Sequence, residues 1–178
     1  MVGENVRRYL HERGLTDETI EAFRLRSSER EDLYIPYINR LGNEYGHTIR
    51  RLDGGEPKYL REASFEASLF NIGSLYEDPI FITEGELDCI SLAQVGAHAV
   101  GYHGTQSFQE SWRWGFLGST VYVVADGDQP GIAAATKIRR ILRGVSEETR
   151  ILQCPEGEDS NSLLVAGTLK EWLDVQIA

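Results

Sequence analysis

The 178-residue chain has no apolar run long enough to span a bilayer, and no apolar stretch follows the charges of its opening MVGENVRRYL. Neither a membrane partner nor a secretory leader is expected, so the expected location is the cytoplasm. Cysteine is scarce. Cys89 and Cys154 stand far apart and neither lies in a C-x-x-C, which argues against a disulfide framework and against a structural zinc site from this chain alone. Both read as small apolar fillers. Positive charge is short as well: 18 Lys and Arg face 28 Asp and Glu, a formal net charge of −10. Phosphate contacts ordinarily call for the opposite sign. No internal repeat, low-complexity segment or true linker is visible.

What the chain does have is enough apolar residue, 41%, to build a core for one domain or one domain with a small appendage. Residues 5–25 read as two short helices, with Gly14 ending the first and Thr16 capping the second. LYIPYI, Leu33 to Ile38, reads as a strand, and Pro36 places it at an edge or a bulge. Tyr45 to Leu52 returns as the second arm of a hairpin, and Pro57 to Leu60 is extended. After Asp78-Pro79 the pattern becomes alternating strand and helix: strands at 80–83, 97–100, 121–125 and 151–152, helices at 87–95, 107–116 and 130–143, and helical turns to the end. The fold class predicted is α/β, a mostly parallel sheet with helices on both faces, preceded by a small α+β subdomain. The expected division is 1–78 and 79–178.

Three acidic motifs fall at the C-terminal ends of predicted strands, the edge where open α/β sheets bind ligands. Glu84 follows the first, with Gly85 allowing a sharp turn. Asp126-Gly127-Asp128 follows VYVVA. Glu156, Glu158 and Asp159 follow Ile151-Leu152. Gathering like charges is costly unless a cation lies between them, and hard oxygen ligands suit magnesium or manganese rather than zinc. Taken alone, Asp128 beside Pro130 reads equally well as a helix N-cap; three acids at successive strand ends are harder to explain that way.

ITEGELD (Ile82–Asp88) and VVADGDQPG (Val123–Gly131) resemble the glutamate and D-x-D motifs of Toprim domains, over roughly residues 79–165. PEGEDSNSLL (Pro155–Leu164) narrows the resemblance to the primase version. Asn161 stands where DnaG-type primases usually carry Asp and is nearer to the phage and mitochondrial primase–helicases, which makes Asp159 the safer ligand. YHGT (Tyr102–Thr105) is similar to a Gly-Thr loop of primases. Upstream, Tyr9–Leu25 resembles the helical lead-in of bacterial primase polymerase domains, and residues 33–71 resemble their strand, hairpin and basic segment.

The resemblance implies a DNA-templated RNA polymerase core that makes short primers by metal-dependent nucleotidyl transfer. Asp126, Asp128 and Asp159 would hold Mg2+ or Mn2+, with Glu84 a further ligand or the general base and Asp88 orienting a metal-bound water. Arg51 and Lys58, with Arg50 beside them, would face nucleotide and template; the alternative is a solvated hairpin edge. The implied partners are a single-stranded DNA template, ribonucleoside triphosphates, and a separate helicase or zinc-binding component, since neither module is recognisable here. Tyr59, Tyr102 and Trp112 are candidates for base stacking, although such aromatics more often belong to a core. Glu86 is either functional or an exposed acid of the first helical turn. Two rival functions use the same acids: a Toprim nuclease, in which the metal activates water, and a non-catalytic nucleic-acid-binding module.

Overall fold

The computed structural model describes every residue except 62–64 and 104–107, and the chain divides into two compact units, Met1–Ser68 and Leu69–Ala178. In the first, helix α1 (Glu4–Glu12) buries Val6 and Leu10. Gly14, at φ 76°, turns the chain after it. Thr16 Oγ1 then accepts the Thr19 N–H at 3.3 Å to cap α2 (Asp17–Ala22). Four antiparallel strands follow in spatial order: β1 (Arg26–Ser27), β2 (Leu33–Ile38), β3 (Glu44–Arg50) and β4 (Tyr59–Arg61). Alternation on β2 sends Leu33, Ile35 and Tyr37 into the core, each 0% exposed. Pro36 pairs with His47 beyond the end of β1, which reaches only Leu33 and Tyr34, and the β2–β3 register slips between Tyr37 and Ile38. The proline therefore lies where β1 no longer runs beside it and next to a bulge, where its missing N–H is tolerated. Strand β1 falls where the sequence shows only polar residues; two residues are too few to carry a period.

The second unit is built on a parallel sheet. In chain order its elements are β5 (Ile80–Glu84), α3 (Glu86–Gln94), β6 (His98–Tyr102), β7 (Thr120–Ala125), α4 (Gln129–Leu142), β8 (Glu148–Gln153), α5 (Ser160–Val165) and α6 (Leu169–Ile177). The strand order is β6-β5-β7-β8. Ile80, Phe81 and Ile82 are all at most 3% exposed, the continuous apolar run of a strand covered on both faces. Edge strand β8 alternates exposed and covered residues, which is why only Ile151 and Leu152 stand out in the sequence. Two 3-10 turns, Ile72–Tyr76 and Glu110–Phe116, pack beside the sheet, with Leu75 against Gly115. The second occupies much of the segment whose spacing suggests a helix over 107–116. Among the described residues no helix is long and apolar enough to cross a membrane.

This topology decides where a site forms. The chain leaves β5 through α3 towards β6 on one side, and leaves β7 through α4 towards β8 on the other. Right-handed crossovers in opposite directions put the two helices on opposite faces and open a crevice between β5 and β7 at their carboxyl ends. Glu84 ends one of these strands, and Asp126 directly follows the other.

Candidate active site

Glu84 is the last residue of β5, and Gly85, at φ 90°, reverses the backbone into α3. The turn is held by the Gly85 N–H, which donates to the Tyr102 carbonyl at 2.6 Å. Space is tight around it: a Cβ on Gly101 would lie 2.7 Å from the Gly85 carbonyl oxygen. One turn into α3, Asp88 Oδ1 accepts the Asn161 N–H at 2.9 Å, and Asn161 Nδ2 donates to Ser91 Oγ at 2.9 Å. Asp88 and Asn161, 73 residues apart in sequence, thus join α3 to the start of α5.

Asp126 follows β7 and Asp128 is the N-cap of α4, its Oδ1 accepting the Gly131 N–H at 2.7 Å. Asp159 does the same for α5. Its Oδ1 accepts the Ser162 N–H at 2.6 Å while Ser162 Oγ accepts the Asp159 N–H at 2.8 Å, a capping box. Capping and metal binding are not exclusive, because a carboxylate has two oxygens and each cap uses Oδ1. The caps fix the rotamers of both acids.

The acids influence one another. Asp126 has its pKa pushed up to about 7, first by burial and then by the negative charges of Glu84, Asp159 and Asp128. All four predicted acids therefore share one electrostatic neighbourhood. Tyr102 is raised by burial and by Glu84 and Asp126. The Cys154 thiol is pushed to about 12 by burial and by Asp126, Asp88 and Asp159. Tyr102 and Cys154 are thus the low-dielectric wall of the acid set, a placement that neither residue announces in the sequence.

A hard divalent cation fits this neighbourhood on the chemistry of its donors, which are all carboxylate oxygens. Among the described residues no three His, Cys, Asp or Glu side chains are gathered closely enough to hold a metal ion by themselves; a cation bound by one or two of these carboxylates would complete its shell with water.

The remaining sequence candidates are placed as follows. Arg50 is buried, its guanidinium hydrogen-bonded to the Tyr59 hydroxyl and lying 5.4 Å from the Tyr9 ring centre and 5.1 Å from that of Tyr59. Arg51 pairs with Asp53 at 2.7 Å and donates to the Glu56 carbonyl at 3.1 Å. Lys58 is exposed beside β4. Tyr102 and Trp112 belong to the core, packed edge-on to Phe108 at 5.8 and 5.4 Å. Glu86 is 1% exposed, with His103 Nδ1 3.4 Å from its Oε2; the exposed first-turn acid is corrected to a buried one. Gly104 and Thr105 of the Gly-Thr loop lie outside the described residues.

The fold and the acid set define a Toprim-type domain, and the Toprim-like family model matches residues 81–164. The chain is 39% identical over 120 residues to the Gene 57 protein of Mycobacterium phage D29, covering 66% of this chain and 76% of that protein. It is 32% identical over 170 residues to the DNA primase of Pseudomonas putida, covering 86% of this chain and 26% of the primase. It superposes on the Aquifex aeolicus primase (zinc binding and RNA polymerase domains) with a TM-score of 0.80 at 20% identity, covering 98% of this chain and 55% of that one. A DnaG primase catalytic domain bound to ssDNA gives a TM-score of 0.76 at 23% identity, covering 98% and 71%. The chain belongs to the same family as the phage protein and carries a Toprim-like domain; bacterial DNA primases are its homologues, and it shares the fold of DnaG catalytic cores. It spans about a quarter of the length of the bacterial primase above, 26%.

Proposed function

We propose that this chain is the nucleotidyl-transfer core of a primase, a DNA-templated RNA polymerase that synthesises short RNA primers. The observation that carries the reading is the electrostatic convergence of Glu84, Asp126, Asp128 and Asp159 at the β5/β7 crevice, in a chain whose relatives include DNA primases. The reaction joins a 3′-hydroxyl to the α-phosphate of a nucleoside triphosphate and releases pyrophosphate. Asp126, Asp128 and Asp159, with Glu84, would hold Mg2+ or Mn2+, which lowers the hydroxyl's pKa and neutralises charge on the phosphate oxygens. Glu84, at the end of β5, is placed alternatively to accept the hydroxyl proton on its carboxylate. Asp88 and Asn161 are positioning residues: their hydrogen bond keeps α3 and the start of α5 at the crevice. The first-turn N–H groups of α4 add positive potential for a phosphate.

Arg51 and Lys58, with Arg50 as the packed member of the group, hold the phosphates of the nucleotide and of the single-stranded template. Residues 1–78 then serve template and nucleotide, and 79–178 the chemistry. A helicase and a zinc-binding component are the partners this division of labour calls for, in the cytoplasm.

The experiment is incubation with single-stranded DNA, four labelled ribonucleotides and Mg2+ or Mn2+. Labelled oligoribonucleotides are expected. Shortened template without RNA product means a nuclease, and template binding with neither product means a binding module; either result overturns the proposal.

A further inference from the structure

Helix α4 carries a feature that metal binding and nucleotidyl transfer do not use. Of the seven Lys and Arg in Leu69–Ala178, four lie within seven residues: Lys137, Arg139, Arg140 and Arg143. No Asp or Glu occurs from Gln129 to Ser146. The other three cations of the unit, Arg113, Arg150 and Lys170, are each paired with an acid. Among the described residues the three on α4 and Arg143 at its C-cap have no ion-pair partner, and all four are exposed. In a chain of net charge −10, acids to pair them are abundant, yet none is supplied.

Their arrangement is ordered. At about 100° per residue the four cations fall within an arc of about 160°, opposite Ala134, Ala135, Ile138 and Leu142, which are buried. Small Ala133 and Thr136 lie inside that arc, so the cations rim a shallow hollow of ≈340 Å³. No aromatic residue lies on this face, although single strands are ordinarily held by stacking their bases on aromatic rings. A face with charge and no stacking surface suits a nucleic acid whose bases are already paired. The densities also agree. Lys137 to Arg143 covers about 9 Å of helix axis, over which a duplex presents about five phosphates at ~1.7 Å per charge.

We infer that this face of α4 is a sequence-independent docking surface for the sugar–phosphate backbone of a nucleic-acid duplex. It lies about 18 Å along the helix from Asp128, taking Arg140 as its centre. Duplex held there and reaching the acids would extend about five nucleotide steps at ~3.4 Å each. The choice of nucleic acid as the polyanion rests on the proposed function, but binding here needs neither metal nor catalysis.

The test is fluorescence anisotropy of the full chain in EDTA, with a 20-base-pair DNA duplex, a DNA–RNA hybrid and a single strand of the same length, over a range of salt. The variant K137Q/R139Q/R140Q/R143Q should bind both duplexes at least tenfold more weakly, with the slope of log K against log salt reduced by about 3 to 4. Its single-strand affinity should change by less than threefold. R139K/R140K/R143K, which keeps the charge, should bind duplex like the wild-type chain, and circular dichroism melting should be unaltered in both variants. Equal duplex affinity and slope in wild type and the glutamine variant overturns the inference, as does an equal or larger loss for the single strand. If sedimentation shows instead that the glutamine variant loses self-association while keeping duplex binding, the face is a contact between copies and the inference fails. Absent primer synthesis with intact, α4-dependent duplex binding would sink the proposed function and leave this inference standing.

Discussion

Gly127 and Gly157 bind each other's loops through their backbones: the Gly157 N–H donates to the Gly127 carbonyl at 3.0 Å, and the Gly127 N–H donates to the Glu158 carbonyl at 2.8 Å. The loop carrying Asp126 and Asp128 is thereby fastened to the loop carrying Asp159. Contact is so close that a Cβ on Gly127 would sit 1.8 Å from the Pro155 carbonyl oxygen. Glycine is needed between the two aspartates because the neighbouring backbone fills the space of a side chain.

Gly127→Ala should therefore part the two loops. The expected cost is about 1–3 kcal/mol, as for overpacking elsewhere, with at least a tenfold loss of primer synthesis. Gly73→Ala is the control, since nothing lies within 4 Å of its added Cβ. Thermal denaturation and product gels on the two variants check this. Equal behaviour would mean that the loops need no clamp.

Asp126 gives the apo protein a pH dependence whose sign is fixed. Its folded pKa of about 7 lies above the ~3.9 of an unfolded aspartate. Between those values the native state holds a proton that the unfolded chain has released, so stability falls as pH rises from about 4 to 7. Asp126→Asn should flatten that limb of a melting-temperature profile recorded in EDTA. Magnesium should raise the melting temperature more at pH 8 than at pH 5 in the wild type, and less in the variant. A wild-type profile parallel to that of Asp126→Asn would rule out the coupling described.

The D-x-D and glutamate motifs were legible in the sequence because strand, turn and helix signals surround each of them. So was the parallel sheet, whose strands 80–83 and 121–125 are short apolar runs flanked by turn residues. Asp159 was harder, because Glu156 and Glu158 beside it have the same chemistry and only the resemblance to the primase motif singles it out; the capping box with Ser162 and the influence of Asp159 on Asp126 emerge in the fold. Burial of Glu86 was not legible: first-turn acids are ordinarily solvated, and nothing local announces that α3 packs that end inward. The Asp88–Asn161 bond, like the clamp at Gly127, joins residues remote in sequence and has no local signature. Asp128 illustrates a different limit: the N-cap reading is met through Oδ1, which leaves the second carboxylate oxygen open to the ligand reading.

Two of the basic residues, Arg50 and Lys58, should separate by experiment. Arg50 is packed between Tyr9 and Tyr59, so Arg50→Ala should cost about 1–3 kcal/mol of stability through lost packing and hydrogen bonding. Lys58 is exposed, so Lys58→Ala should leave the melting temperature within about 1 °C while weakening single-stranded template binding severalfold. Anisotropy and melting on both variants decide it. A Lys58→Ala chain that binds template at full affinity would return Lys58 to the solvated edge of a hairpin.

The most direct measurement is template-dependent pyrophosphate release from ribonucleoside triphosphates, compared between the wild-type chain and Asp126→Asn at saturating Mg2+ or Mn2+. The account predicts release that requires single-stranded DNA in the wild type, and a loss of at least a hundredfold in the variant with its fold intact. Full release by Asp126→Asn, or wild-type release that is indifferent to template, would contradict it.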